Sequence, residues 1–171
     1  MDTIFNQRFD ERRKFQYVND EPSVLHCHHY TTLFTKLAIN LTDIEGPKLL
    51  VESMEESFYL VLKKYFVRYN VASKADRIKV AEDYYGLVGM GKLKLIVNDT
   101  NGTAEMKYSH VDEGWIKKWG KADFVVNYAG QGYILAVFDL INNKEIRTYD
   151  ITETNSIVKG DSISKFEIKL K

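Results

Sequence analysis

Several things are scarce in this chain. Its 171 residues include one cysteine, Cys27, and two prolines, Pro22 and Pro47, and its 24 Lys and Arg are balanced by 24 Asp and Glu. A single thiol excludes an internal disulfide framework, and no basic segment followed by an apolar core stands at the start, so the sequence predicts a cytoplasmic protein. A formal net charge of zero supplies no long-range field to gather phosphates, which argues against nucleic acid as a partner. The longest apolar stretch, residues 124–141, is interrupted by Asn127, Gln131 and Asp139 and reads as a buried helix rather than a membrane span. Repeats, low-complexity segments, a phosphate loop, a dinucleotide fingerprint and a nucleophile elbow are all missing.

Apolar residues make up 44% of the chain, enough for one globular domain with its own core, and the 13% aromatic content suits a pocket for something flat or greasy. Residues 1–20 mix charges with Phe5, Phe9, Phe15 and Tyr17, too aromatic for a disordered tail. Residues 23–30 (SVLHCHHY) read as a strand or an extended lead into a helix over about 32–41. Thr31 or Thr32 would cap that helix, and its Leu33, Leu37 and Leu41 stripe would face a core. Gly46-Pro47 opens a second helix over about 47–69. Ser73 caps a third, which runs to the glycines at 86, 89 and 91. Alternating residues 92–98 and 103–109 flank Asn101-Gly102 as a hairpin. A short helix over 112–120 and a longer one over 123–140 follow, the latter with Gly130 and Gly132 allowing another backbone close. Strands over 144–152 and 164–171 finish the chain. The expected architecture is α+β, an antiparallel sheet covered on one face by helices.

The order of features in the second half carries a resemblance. Gly89-Met90-Gly91 leads into a hairpin and an aromatic helix; then come Gly130-Gln131-Gly132-Tyr133-Ile134-Leu135-Ala136, Glu153-Thr154, Gly160-Asp161 and Phe166-Glu167-Ile168. Over residues 48–171 this resembles the 4-vinyl reductase, or hydrocarbon-binding, domain family. That family is related in fold to haem-dependent nitric-oxide sensors and to subunits of the TRAPP vesicle-tethering complex. The resemblance implies a ligand-binding core at 46–171 preceded by an extension at 1–45, a small-molecule sensing role and a homodimer. Several members hold a structural zinc through cysteines after the glutamate and after the Gly-Asp pair. Here those positions are Ser156 and Ser164, and protonated hydroxyls are poor zinc ligands, so that site is expected to be absent. Haem is disfavoured too, because Tyr108-Ser109-His110 does not reproduce the nitric-oxide sensors' Tyr-Ser-Arg motif.

Two groups of residues could carry chemistry. Three of the four histidines and the only cysteine fall in the run His26-Cys27-His28-His29. In an extended run, His26 and His28 would face one way and Cys27 and His29 the other, so a zinc or iron site would need further ligands, for which His110, Glu52, Glu55 and Glu56 are candidates. The run equally suits partly buried polar residues at an element junction, or a direct ligand-binding or acid–base role with Cys27 as nucleophile. The second group is Trp115 and Trp119, four apart on one helical face, which could line a pocket with Tyr84, Tyr85, Tyr128 and Tyr133 or simply form a core stripe. Asn127 and Gln131 on an otherwise apolar helix favour the pocket, since buried amides need partners and a ligand can be one. The sequence thus predicts a non-enzymatic binding domain for a small apolar or aromatic molecule, with Trp115, Trp119, Tyr128, Gln131, Asn127 and Tyr85 at the site. The alternative is a metal-binding protein or metal-dependent enzyme centred on His26–His29.

Overall fold

The computed structural model describes residues 5–171, so residues 1–4 of the aromatic N-terminal segment lie outside the described part. That segment forms a small antiparallel sheet of β1 (Gln7–Asp10), β2 (Phe15–Val18) and β3 (Glu21–Ser23). The helices α1 (His28–Asn40), α2 (Gly46–Arg68) and α3 (Lys74–Leu87) follow. The hairpin β4 (Gly91–Val97) and β5 (Asn101–Ser109) then leads to α4 (His110–Trp119) and α5 (Tyr128–Ile141). Strands β6 (Tyr149–Asn155) and β7 (Ser164–Leu170) complete a four-stranded antiparallel sheet in the order β4-β5-β7-β6. The fold is α+β.

Period-two burial explains the sheet. Leu93, Leu95 and Val97 of β4, Ala104 and Met106 of β5, and Phe166 and Ile168 of β7 are buried, while the lysines and glutamates between them point outward. Helix α5 lies between this inner face and α2, and every residue of it after Tyr128 is buried. Tyr133, Ile134, Val137 and Phe138 are each completely enclosed, and each such large side chain contributes about 1.5–3 kcal/mol. Gly132 permits the closeness of α2: a Cβ there would meet the Val51 carbonyl, stand 2.7 Å from the Met54 Cβ and 2.9 Å from the Glu55 nitrogen. Ser73 caps α3 as expected, its hydroxyl accepting from the Asp76 amide at 3.0 Å.

Four expectations are corrected. Helix α1 starts at His28 behind Cys27, and Leu33, Leu37 and Leu41 are 41–49% exposed. Its buried face is Thr32, Thr35 and Ala38, because Thr32 Oγ1 donates to the His28 carbonyl (2.7 Å) and Thr35 Oγ1 to that of Val126 (3.3 Å), which lets hydroxyls enter an interior. The hairpin turns on Asp99-Thr100, closed by Asn98 N–H to the Asn101 carbonyl at 2.8 Å, and Gly102 already pairs with Val97. Helix α5 starts at Tyr128, with Asn127 as its N-cap rather than its second turn. Strand β6 starts only at Tyr149, since residues 144–148 form a turn in which Arg147 takes a left-handed φ of 72°.

Candidate functional site

A buried polar junction sits where β5, α4, α5 and β6 meet. Asn127 is fully enclosed: its Oδ1 accepts from Gly130 N–H (3.0 Å), and its Nδ2 lies 3.1 Å from both Ser109 Oγ and Asp112 Oδ2. These bonds satisfy the amide internally. Burial pushes the Asp112 carboxyl up to about 6 against the opposing bonds from Ser109 and Asn127, and its Oδ1 has no partner. Tyr85 is completely buried nearby, its hydroxyl 3.5 Å from the Met106 sulfur. One turn into α5, Gln131 Nε2 donates to Glu153 Oε2 at 3.3 Å, and burial raises Glu153 to about 7.

Gln131 also borders a cleft of about 300 Å³ between α2, α5 and β6. Val51, Leu135 and Ile151 supply apolar wall, Tyr128 and Tyr149 supply ring faces, and Glu55 and Arg147 supply charge. Glu55 is 1% exposed. Its Oε1 accepts from the Arg147 backbone N–H at 2.7 Å, its Oε2 pairs with the Arg147 guanidinium, and Arg147 Nη2 reaches the Glu52 carbonyl at 2.8 Å. The guanidinium thereby ties the 144–148 turn to α2 and holds its own strained backbone in place. Behind Glu55 lies Asp139, fully buried with no hydrogen-bond partner on either oxygen, whose carboxyl is raised far above its ordinary range by burial and then by the neighbouring Glu55. The two carboxyls are thus distinguished by their partners, since Glu55 is paired with the Arg147 guanidinium and Asp139 is not.

The structure thus brings Tyr128 and Gln131 together at one cleft and sends the other predicted site residues elsewhere. Trp115 and Trp119 do touch, their rings tilted at 47° with centroids 4.5 Å apart, but Trp115 belongs to a separate cluster with Val111, Val126, Ala129 and Val158. Neither tryptophan lines the cleft. Tyr84, Tyr85 and Tyr133 pack in the main core, and Tyr84 also borders a different groove of about 600 Å³ with Val18, Leu60, Val61 and Tyr65. In the histidine run, His26 stacks on Tyr30 and His28 on His110 (4.2 Å), with His28 Nδ1 3.1 Å from the His110 carbonyl. Cys27 and His29 are exposed, and among the described residues no three His, Cys, Asp or Glu side chains group to hold a metal ion. Those contacts do not favour the metal alternative. A Cβ on Gly114 would come within 2.9 Å of His28 Cβ and Thr32 Cγ2, so this run serves the close approach of α1 to α4. Sequence reasoning missed Arg147 as a site residue, and Asp139 gave the one signal, a carboxyl inside an apolar run.

No family model matches the chain, and no curated protein matches its sequence. Solved structures do. The phenol-responsive sensory domain of the transcription activator PoxR, solved with phenol, superposes with a TM-score of 0.79 at 12% identity, covering 96% of this chain and 84% of that one. A trafficking protein particle complex subunit 3 from Naegleria fowleri, covalently bound to palmitic acid, superposes with a TM-score of 0.53 at 10% identity, covering 83% and 90%. At these identities what is shared is the fold. Among the described residues, no helix is long and apolar enough to cross a membrane.

Proposed function

We propose that this chain is a small-molecule sensory domain that binds an apolar or aromatic ligand in the cleft between α2, α5 and β6 without transforming it. The observation that carries the reading is the cleft itself, about 300 Å³ with an apolar wall, two tyrosine rings and the Gln131 amide at its border. The likeness in fold to a sensory domain solved with phenol supports it. Tyr128 and Gln131 are the contact residues of this reading, with Val51, Leu135 and Ile151 packing against the ligand. The test is thermal unfolding across a panel of phenols and hydrocarbons, with Ile151→Trp to fill the cleft. A midpoint that rises with ligand concentration in the wild type, and stays flat in Ile151→Trp, is the expected result. A panel without effect, or an equal rise in the variant, overturns it.

We further propose that two copies pair through α1. Tyr30, Phe34, Leu37, Leu41 and Ile44 recur at alternating steps of four and three along α1 and the turn after it, and each is 42–57% exposed. Steps of four and three place Tyr30, Phe34 and Leu37 on one face of α1, the spacing of the seam by which one helix packs on another, and Leu41 and Ile44 follow it as half-exposed apolar side chains. A two-fold axis near Leu37 would let the seam meet itself. The extension at 1–45 then carries the dimer helix and 46–171 the ligand core. The lone thiol of Cys27 favours a cytoplasmic setting. Sedimentation is expected to give a dimer for the wild type and a monomer for Leu37→Asp, and a monomeric wild type contradicts the proposal.

A further inference from the structure

The zinc that the family resemblance implies does not fit the residues present. At the matching positions stand the Glu153 carboxyl and the Ser156 and Ser164 hydroxyls, with the Gln131 amide alongside. None is a thiolate or an imidazole, and neutral hydroxyls bind zinc weakly. The Ser164 hydroxyl and the Ser156 backbone are already engaged within the turn. Ser164 Oγ accepts from the Ile157 backbone N–H at 3.0 Å, and the Ser156 backbone N–H donates to Asp161 Oδ2 at 2.8 Å. The Ser156 carbonyl accepts from the Lys159 and Asp161 backbone amides at 3.0 and 3.1 Å. The turn between β6 and β7 is therefore closed by bonds of its own. Gln131 joins it to α5 through Glu153, while Glu153 Oε1 and Ser156 Oγ are buried without a hydrogen-bond partner.

We infer that the bonds accepted by Ser164 and Asp161 close the β6–β7 turn, that the Gln131–Glu153 bond holds it to α5 in place of a metal, and that this chain folds without zinc. Ser156, Ser164 and Gln131 all neighbour the Glu153 carboxyl, so the inference extends to these side chains standing close enough to share one ion if the two hydroxyls were thiolates. Two substitutions, Ser156→Cys and Ser164→Cys, would then supply two thiolates beside Glu153 and create a zinc site where none operates now.

The test measures zinc by elemental analysis and thermal midpoint with and without EDTA, using the full chain purified in zinc-supplemented medium. For the wild type, zinc well below one per chain and a midpoint unmoved by EDTA are expected. For S156C/S164C, close to one zinc per chain and a midpoint that EDTA lowers are expected. Because the double variant could fold poorly, Ser164→Ala supplies a separate arm: it removes the Ile157 acceptor and is expected to lower the midpoint by roughly 5 °C, with no response to zinc. Stoichiometric zinc in the wild type with an EDTA-sensitive midpoint overturns the inference, as does a Ser164→Ala midpoint equal to wild type. A folded S156C/S164C that takes up no zinc overturns the claim that these side chains stand close enough to Glu153 to share one ion.

Discussion

Replacing Arg147 with alanine is expected to cost about 3 kcal/mol of stability, lowering the thermal midpoint by roughly 6–12 °C for a chain of this size. Glu55 is 1% exposed, and its main countercharge is the Arg147 guanidinium. Removal of that group leaves a buried carboxylate beside a second carboxyl, Asp139, and releases the link from Nη2 to the Glu52 carbonyl. Arg147→Lys should fall between, because an ammonium restores charge but cannot reach both acceptors. Asp139→Asn should behave differently. Burial raises the Asp139 carboxyl to about 9, so at neutral pH it is expected to hold its proton in the folded chain and lose it in the unfolded one. The unfolded state therefore binds fewer protons, and wild-type stability falls as pH rises above about 4 through the raised folded value. An asparagine removes that dependence, so Asp139→Asn should match or exceed wild type at pH 8. Chemical denaturation of the three variants at pH 5 and pH 8 checks both claims. An Asp139→Asn loss as large as that of Arg147→Ala would show that Asp139 carries charge.

Gly132→Ala is expected to destabilise by about 3 kcal/mol even though alanine is the better helix former by roughly 1 kcal/mol. Its methyl would collide with the Val51 carbonyl and with the Met54 Cβ and Glu55 nitrogen, at 2.7 and 2.9 Å. All three belong to the α2 stretch that carries Glu55, and backbone cannot swing aside as a side-chain end can. Separation of α2 from α5 would also widen the cleft, so the variant should bind ligand more weakly in proportion to its loss of packing. Equal stability of Gly132→Ala and wild type by urea denaturation would contradict the close crossing.

The parts of the fold that local pattern determines were legible in the sequence. Strands β4, β5 and β7 follow from alternation, and α2 and α3 from Gly46-Pro47 and the Ser73 cap. Gly132 announced a close approach, although its partner on α2 could not be read from spacing. Helix α1 misled because its leucine stripe faces outward and its threonines inward, and periodicity reports that a helix has two faces without saying which is buried. The amides at Asn127 and Gln131 correctly marked buried polar demand; for Asn127 the partners proved to be Ser109, Asp112 and Gly130 rather than a ligand. The Glu55–Arg147 pair was out of reach, since it joins residues 92 apart and depends on a left-handed turn that no local motif signals.

The central claim is that a small aromatic or apolar molecule enters the cleft between α2, α5 and β6. A titration of isotope-labelled protein with phenol, followed by NMR of side-chain amides and methyl groups, tests it most directly. Saturable shifts centred on the Gln131 side-chain amide and the methyls of Val51, Leu135 and Ile151 are expected, with Leu60 and Val61 in the larger groove unmoved. Shifts confined to Leu60 and Val61, or to the Trp115 and Trp119 indoles, would contradict it.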